Sequence, residues 1–340
     1  MQAERALLVA AGGGIGDTLL AGVVARALRE RFAAVDAVVL PAHLSLAQHI
    51  PAIDEVVPLG ATLPARYAAA VVTWATLQTA FLPYRAGILV RVGQARRLYS
   101  ALFTQRVVVR SELGDRATPW TEILLDYARA LGCDLADPKP EFAVRAEDAA
   151  GAEALVRVHG AGSGFTVLHP TRGLSAGHAR WPTAGFVALA RRLIARDGLP
   201  VLITGAPEDA PIAAEIAAGA GRGAISIAGA TSIATFGALA ARARAVVAMD
   251  SGPMHVAAAV GAPTVGIFAL QSDEPDRWAP RGRRTAVVRA TYPCPPDHRK
   301  ETCPDFACVR ELDVDRVLAV LDGLLARDAE PRPELVEGSS

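Results

Sequence analysis

Two short segments of this 340-residue chain carry residue types whose order suits chemistry on a phosphorylated ligand. The first is Asp250-Ser251-Gly252-Pro253-Met254-His255, between the apolar run 245–249 and the alanine-rich run 256–260. Read as strand then helix, this junction puts Pro253 in the first helical turn, where its missing N–H has no partner to lose. The remaining first-turn N–H groups then sit at the positive end of the helix dipole, a seat for phosphate. Gly252 gives a ligand room to approach the backbone, and Asp250 and Ser251 add polar groups at the rim.

The second segment is Gly12-Gly13-Gly14-Ile15-Gly16-Asp17, directly after the apolar run 6–11. Gly12 and Gly14 fit the start of a dinucleotide fingerprint, but Asp17 occupies its final glycine position, and no Lys-Ser/Thr pair follows as in a P-loop. The glycines still require a tight turn and close backbone approach to a neighbour. Asp17 reads equally as the N-cap of the following helix and as a general base facing a cleft. A helix N-terminus lowers a carboxyl pKa, so a base at this place needs partial burial pushing the other way.

The elements that must hold these segments alternate between strand and helix. In the first half, strands are expected at 6–11, 37–40, 55–58, 69–73 and 87–92, with helices at 18–32, 44–49 and 121–131. A Pro- and charge-rich connection at 134–145 leads to a helix at 146–159. Strands then follow at 165–169, 200–204, 224–227, 245–249 and 263–268, and helices at 183–196, 210–218, 233–242 and 253–260. Two such βαβ series make an α/β protein: two Rossmann-like domains, 1–145 and 146–327, with parallel sheets facing one another across a cleft. Residues 328–340 have the composition of a disordered tail.

Composition narrows the function. Half of the residues are apolar and 21% are charged, as in a soluble globular protein. The formal net charge of zero removes the argument for a nucleic-acid binder. No secretory signal is visible, and the uncharged run 253–270 is split by His255 and Gly261-Ala262-Pro263 into a helix and a strand, so a cytoplasmic location is expected. Cys294, Cys303 and Cys308 are spaced C-x8-C-x4-C, unlike the close pairs of a zinc site. With Asp297 or His298 needed as a fourth ligand, reduced thiols are the better reading, and no metal is expected. Residues 85–116 hold seven arginines, Arg96 and Arg97 among them, against Glu112 and Asp115. This is either an ordinary solvated surface or a basic groove for an anionic acceptor or anionic lipid.

The motif 250–259 followed by Gly261-Ala262-Pro263 closely resembles the donor-site signature of family 9 glycosyltransferases, the ADP-heptose:lipopolysaccharide heptosyltransferases. Gly14-Ile15-Gly16-Asp17, Val92-Gly93, His169-Pro170 with Arg180-Trp181-Pro182, Thr204-Gly205-Ala206-Pro207, Gly229-Ala230-Thr231-Ser232 and Cys303-Pro304 extend the likeness over about 5–322.

The resemblance implies a GT-B fold and an inverting reaction that needs no cofactor or metal, in which a sugar passes from a nucleotide-sugar donor, ADP-heptose, to a glycan acceptor such as the lipopolysaccharide core. It implies that Asp17 is the base, with Gly13, Gly14, Gly16, Arg96 and Arg97 on the acceptor side. The donor diphosphate falls to the N–H groups of Ser251, Gly252 and Met254, with Thr171 and Arg172 also at phosphate. Glu208 or Asp209, beside Gly205, is placed at the ribose, Thr231 and Ser232 near adenine, Asp250 either at the sugar or tying down its own loop, and Pro253 and His255 around the donor loop. Ser232 reads equally as a helix cap, and His255 equally as a packed core residue. The family's lysine before the Trp-Pro element is Ala179 here, and Arg172, His178 or Arg180 is left to substitute for it. A nucleotide-sugar 2-epimerase or a non-catalytic sugar-nucleotide binder are the alternatives, and the acceptor class implies peripheral contact with the cytoplasmic face of the inner membrane.

Overall fold

The computed structural model describes residues 4–171, 180–270, 274–293, 295, 303 and 306–327. Its strands are β1 Arg5–Ala10, β2 Ala34–Val39, β3 Val56–Pro58, β4 Tyr67–Val72, β5 Val90–Gln94, β6 Gln105–Val107, β7 Thr166–His169, β8 Val201–Ile203, β9 Ala224–Ser226, β10 Ala245–Met249, β11 Thr264–Phe268 and β12 Thr285–Arg289. The helices of the first half are α1 Ile15–Leu28, α2 Leu44–Ala47, α3 Leu77–Arg85 and α4 Trp120–Arg129. Those of the second are α5 Ala146–Val158, α6 Thr183–Asp197, α7 Ala210–Ala220, α8 Ile233–Arg242, α9 Gly252–Ala259, α10 Pro275–Trp278, α11 Ala307–Arg310 and α12 Val314–Ala326.

The strands form two six-stranded sheets, ordered β3-β2-β1-β4-β5-β6 and β12-β11-β10-β7-β8-β9. Every described pairing is parallel. Counted from its own first strand, each sheet has the same doubly wound order, 3-2-1-4-5-6. Strand order reverses at β1/β4 in the first half and at β7/β10 in the second, and the crevice beyond the carboxyl ends of such strands takes ligands. The glycine loop leaves the end of β1, and the Asp250 segment leaves the end of β10. Topology alone therefore puts both at switch points.

Both sheets are buried on both faces, as parallel sheets require. Along β1, Ala6, Leu8 and Ala10 face the core under α1 and α4, whereas Leu7 and Val9 join Val72, Ala80 and Phe103 on the other side. In the second sheet Val247 and Met249 pack with Trp181 and Leu321, while Val246 and Ala248 turn toward Phe236 and Val256. That last cluster also takes in Leu19, Leu46 and Ile50 from the first half. All three are at most 2% exposed, so each contributes about 1.5–3 kcal/mol of burial to holding the halves together.

The expected alternation is present, with differences at its weakest points. The sequence pattern predicts no elements at β6, β12, α3, α10, α11 or α12. β6 is a three-residue edge strand, and α3 carries Pro83 and an outward apolar face, so neither shows a clean period. β2 begins at Ala34, three residues before the expected start, because Asp36 interrupts the apolar pattern. Asp36 is fully buried in the strand and accepts from Arg5, from Arg66 Nη2 at 2.8 Å and from the Tyr67 hydroxyl at 3.0 Å. The disordered-tail expectation for 328–340 lies outside the described residues.

Removing Asp36 takes the carboxylate from Arg5 and from the buried Tyr67 hydroxyl beside the first sheet, and leaves Arg66 with Glu55 alone. Asp36→Ala is expected to lower unfolding stability by about 2–3 kcal/mol, read from the midpoint of a urea titration.

Candidate active site

The glycine loop and the donor-like loop meet. A Cβ placed on Gly252 would lie 2.1 Å from Ile15 Cγ2 and 3.1 Å from Gly16 N. One placed on Gly16 would lie 3.3 Å from both Gly252 Cα and His255 Cδ2. The N-terminal tips of α1 and α9 thus touch backbone to backbone across the two halves. The sequence reading reserved the space at Gly252 for a ligand; here Ile15 and Gly16 fill it.

Asp17, directly after Gly16, is the third residue of α1, and Gly14 is the N-cap. Its Oδ2 accepts from Gly14 N at 2.8 Å, so it caps from inside the helix by reaching back over Gly13, which has φ +67°. Burial pushes its pKa above the ordinary value of 3.8, against the lowering by the backbone N–H groups of Gly14 and Asp17. This is the balance a base at a helix N-terminus requires.

A small pocket beside the carboxylate is lined by Gly12, Thr73, Trp74, Trp120 and Leu124. The Trp74 indole lies on the backbone of Gly12, where a Cβ would come within 1.9 Å of Cδ1. Trp120 opens α4 and contacts Trp278 of the second half, ring centroids 5.0 Å apart. Neither tryptophan was anticipated from sequence. The available signal was position, since Trp74 follows the strand that pairs with β1 at the switch point.

On the α9 side, the Ser251 hydroxyl does not cap the helix but donates to Met249 O at 3.0 Å. The first turn therefore keeps backbone N–H groups that no side chain among the described residues caps, and Pro253 contributes none. Met254 is fully buried, so only its main chain can reach the crevice. His255 is 4% exposed against Gly16, burial lowers its pKa to about 4, and its Nδ1 has no partner among the described residues. It is a neutral ring packed at the junction.

Across the switch point, His169 ends β7 and Thr204 follows β8. His169 Nδ1 is 3.0 Å from Thr204 Oγ1, and its Nε2 is 3.3 Å from Thr171 Oγ1. The Thr171 hydroxyl donates to Asp209 Oδ2 at 3.0 Å, and the same oxygen accepts from Ala206 N at 2.9 Å. Burial lowers the His169 pKa to about 4, so it acts as a neutral link in this chain. Asp209 is thereby committed to holding Thr171 and the loop at Gly205, while Glu208 is exposed and points the remaining carboxylate outward from that loop. The sequence points to Thr171 and Asp209 but not to the His169–Thr204 link behind Thr171.

The other expected residues divide. Ser232 Oγ accepts from Thr235 N at 3.0 Å and caps α8, with Thr231 half-buried before it. Gly229 N donates to Gly205 O at 2.9 Å, which brings the Thr231 loop against the Gly205 loop. Arg180 is half-buried beside Trp181, whose Nε1 donates to Leu312 O at 2.9 Å. Arg172, His178 and Ala179 lie outside the described residues. Asp250 is half-buried at the end of β10. Gly13 and Gly14 are exposed at the crevice. Arg96 and Arg97 are exposed on the turn after β5 and do not line the Asp17 pocket; Arg97 pairs with Glu112. Among the described residues no group of His, Cys, Asp or Glu could hold a metal ion. Cys303 Sγ accepts from Phe306 N at 3.3 Å, Cys308 is buried, and Cys294 lies outside the described residues.

The halves are tied at two further places. His49 Nε2 is 2.8 Å from Asp148 Oδ2 and its Nδ1 is 2.7 Å from Ser45 O, with the ring stacked on Phe142 at 5.0 Å. Arg277 donates to Asp115 O beside the Trp120–Trp278 contact.

With this geometry in place, comparison with known proteins decides the family. The model of glycosyltransferase family 9 (heptosyltransferase) matches residues 56–305. The chain belongs to that family. Over 154 residues it is 29% identical to lipopolysaccharide heptosyltransferase 2 of Salmonella typhimurium, a match spanning 44% of this chain and 43% of the relative's length. Among solved structures, ADP-heptose lipopolysaccharide heptosyltransferase II of E. coli superposes with a TM-score of 0.77 at 22% identity, covering 96% of this chain and 100% of the other. A family 9 glycosyltransferase from Veillonella parvula gives 0.81 at 16% identity, covering 95% and 98%. E. coli heptosyltransferase WaaC with ADP gives 0.71 at 17% identity, covering 94% and 99%. The fold is GT-B, two Rossmann-like units, as expected from sequence.

Gly252→Ala in this family 9 chain is expected to force the tips of α1 and α9 apart. Unfolding stability falls by about 1–3 kcal/mol, measured by thermal or urea denaturation, and small-angle scattering reports a larger radius of gyration.

Proposed function

We propose that this chain is an inverting, metal-independent glycosyltransferase that moves a heptose from ADP-heptose to a hydroxyl of a lipopolysaccharide inner-core acceptor. Membership of family 9 supports the reaction class and weighs against a 2-epimerase. The observation that carries the mechanism is the contact of Gly16 with Gly252, which sets a carboxylate of raised pKa beside the uncapped first turn of α9.

In this reading the acceptor hydroxyl enters the pocket between Trp74 and Trp120 and attacks the anomeric carbon. Asp17 takes its proton as the C–O bond to the diphosphate breaks on the opposite face. The main-chain N–H groups of Ser251, Gly252 and Met254, with the main-chain N–H of Thr171, receive the negative charge developing on the leaving phosphate. The His169–Thr204 link and Asp209 hold Thr171 in position, so Asp209 is a positioning residue and Glu208 is the acceptor for ribose hydroxyls. Thr231 lies toward the adenine, and Arg180 supplies the positive charge that the family places one residue earlier. No further cofactor takes part. The acceptor is lipid-anchored, so the work is done at the cytoplasmic face of the inner membrane.

Calorimetric titration with ADP and with UDP tests the donor; tight binding of ADP and weak binding of UDP is the expected result. Wild-type protein that binds ADP but transfers no heptose from ADP-heptose to a Kdo-lipid A acceptor identifies a sugar-nucleotide binder instead. Asp17→Asn is expected to lower transfer about 10²–10⁴-fold with ADP affinity unchanged. An unchanged rate refutes the assignment of the base.

The pH dependence carries a defined sign. Transfer requires the ionised carboxylate, so kcat/KM falls as pH drops through a pKa above 3.8. The same raised pKa means that ionised Asp17 weakens the fold relative to its neutral form. Asp17→Asn therefore melts higher than wild type at pH 7, and the difference closes as the pH falls below the ordinary carboxylate value.

A further inference from the structure

We propose that the outward face of α3, with the turn at Leu98, is a docking surface for an anionic phospholipid bilayer. This deepens the proposed function and rests on it only in that the acceptor is lipid-anchored; the surface is read from its own residues.

Helix α3 is amphipathic in the opposite sense to a core helix. The residues it buries are Thr79, Ala80 and Pro83, whereas Leu77, Phe81 and Tyr84 are 67%, 45% and 50% exposed. Spaced i, i+4, i+7, these three form one stripe along the helix, and the Phe81 and Tyr84 rings lie 5.8 Å apart within it. Leu98 is wholly exposed on the neighbouring turn, which the Tyr99 hydroxyl fastens to Ala75 O at 2.6 Å, next to the start of α3. A contiguous apolar face of this kind on a globular protein marks an interaction site.

Charge selects the occupant. The chain is neutral as a whole, yet residues 56–111 contain seven arginines and no Asp or Glu. Arg85 stands exposed beside the stripe, and the Arg91 guanidinium lies 5.4 Å over the Tyr84 ring. Arg66, Arg97 and Arg110 pair with acids outside that stretch, whereas Arg85, Arg91, Arg96 and Arg106 have no ion-pair partner among the described residues. Large apolar side chains beside such cations match the boundary between acyl chains and anionic headgroups. No helix among the described residues is long and apolar enough to cross a membrane, so the contact is a surface one. The stripe also leads to the site. Trp74, three residues before Leu77, is 39% exposed and lines the pocket at Asp17. A bilayer held against α3 brings the headgroup layer to the mouth of that pocket.

Co-sedimentation of the full chain with vesicles of phosphatidylcholine, with and without about one-third phosphatidylglycerol, tests the surface. Wild type is expected to pellet with the anionic vesicles and to remain in solution with the neutral ones. The triple variant Leu77→Glu, Phe81→Glu, Leu98→Glu is expected to lose at least about tenfold in partition. Arg85→Glu alone is expected to lose about tenfold through charge reversal. Both variants keep the wild-type melting temperature and ADP affinity, because every substituted side chain is exposed and distant from the α9 turn. Failure of wild type to bind, equal binding to neutral vesicles, or unaltered binding by the triple variant overturns the proposal. So does lipid-free self-association of wild type that the triple variant abolishes, since the stripe would then be a protein interface. None of these results bears on Asp17, and a chain that transfers no sugar while showing the expected lipid binding refutes the proposed function alone.

Discussion

The contact between Gly16 and Gly252 is the constraint on which the site depends. Two helix tips from separate sheets meet there through the two glycines, with the Ile15 and His255 side chains packed against them. The approach is set by the shared apolar core behind it, where Leu19, Leu46 and Ile50 are buried with Phe236 and Val256. Helix ends repel one another electrostatically when both present N–H groups, because both carry partial positive charge. In α1 Asp17 places a carboxylate at the same junction and accepts from Gly14 N, but burial outweighs that attraction and makes the ionised acid a net cost to the fold.

Burial sorts the titratable groups at this junction by what each can do. Burial pushes Asp17 up from its ordinary value, the direction that strengthens a carboxylate as a proton acceptor. His169 and His255 are pushed down to about 4 and stay neutral near pH 7. They act through shape and hydrogen bonding, His169 by holding Thr171 through the chain that ends on Asp209, His255 by packing against Gly16. A cationic imidazole at His255 would face the tip of α1, already short of negative charge.

The two sheets share one winding order but present different surfaces at their switch points. The second offers small residues, hydroxyls and main-chain N–H groups. The first offers a carboxylate between two indoles, and one of these is steadied by Trp278 from the other half. The pocket wall at Trp120 is therefore a property of the assembled chain. This division of labour, polar backbone on one side and aromatic faces on the other, follows from which loops the shared topology happens to extend.

Much of this was legible in the sequence. Alternating apolar runs determined two parallel sheets, because a strand buried on both faces must be apolar throughout and a covering helix must repeat every three to four residues. The Asp250–His255 and Gly12–Asp17 segments stood at strand-to-helix junctions, and their motifs pointed to the family that the comparison then established. What the sequence did not determine was what each residue faces. It could not show that Gly252 makes room for Ile15, that Asp209 is spent on Thr171 while Glu208 stays outward, or that Trp74 and Trp120 flank Asp17. Nor could it show that the apolar side of α3 points away from the core. Local pattern fixes which faces of an element are apolar, since that depends on neighbours in the chain. Which neighbour fills a glycine's space, or covers a ring, depends on residues far apart in the chain being brought within a few ångströms, and only the packed tertiary structure decides that.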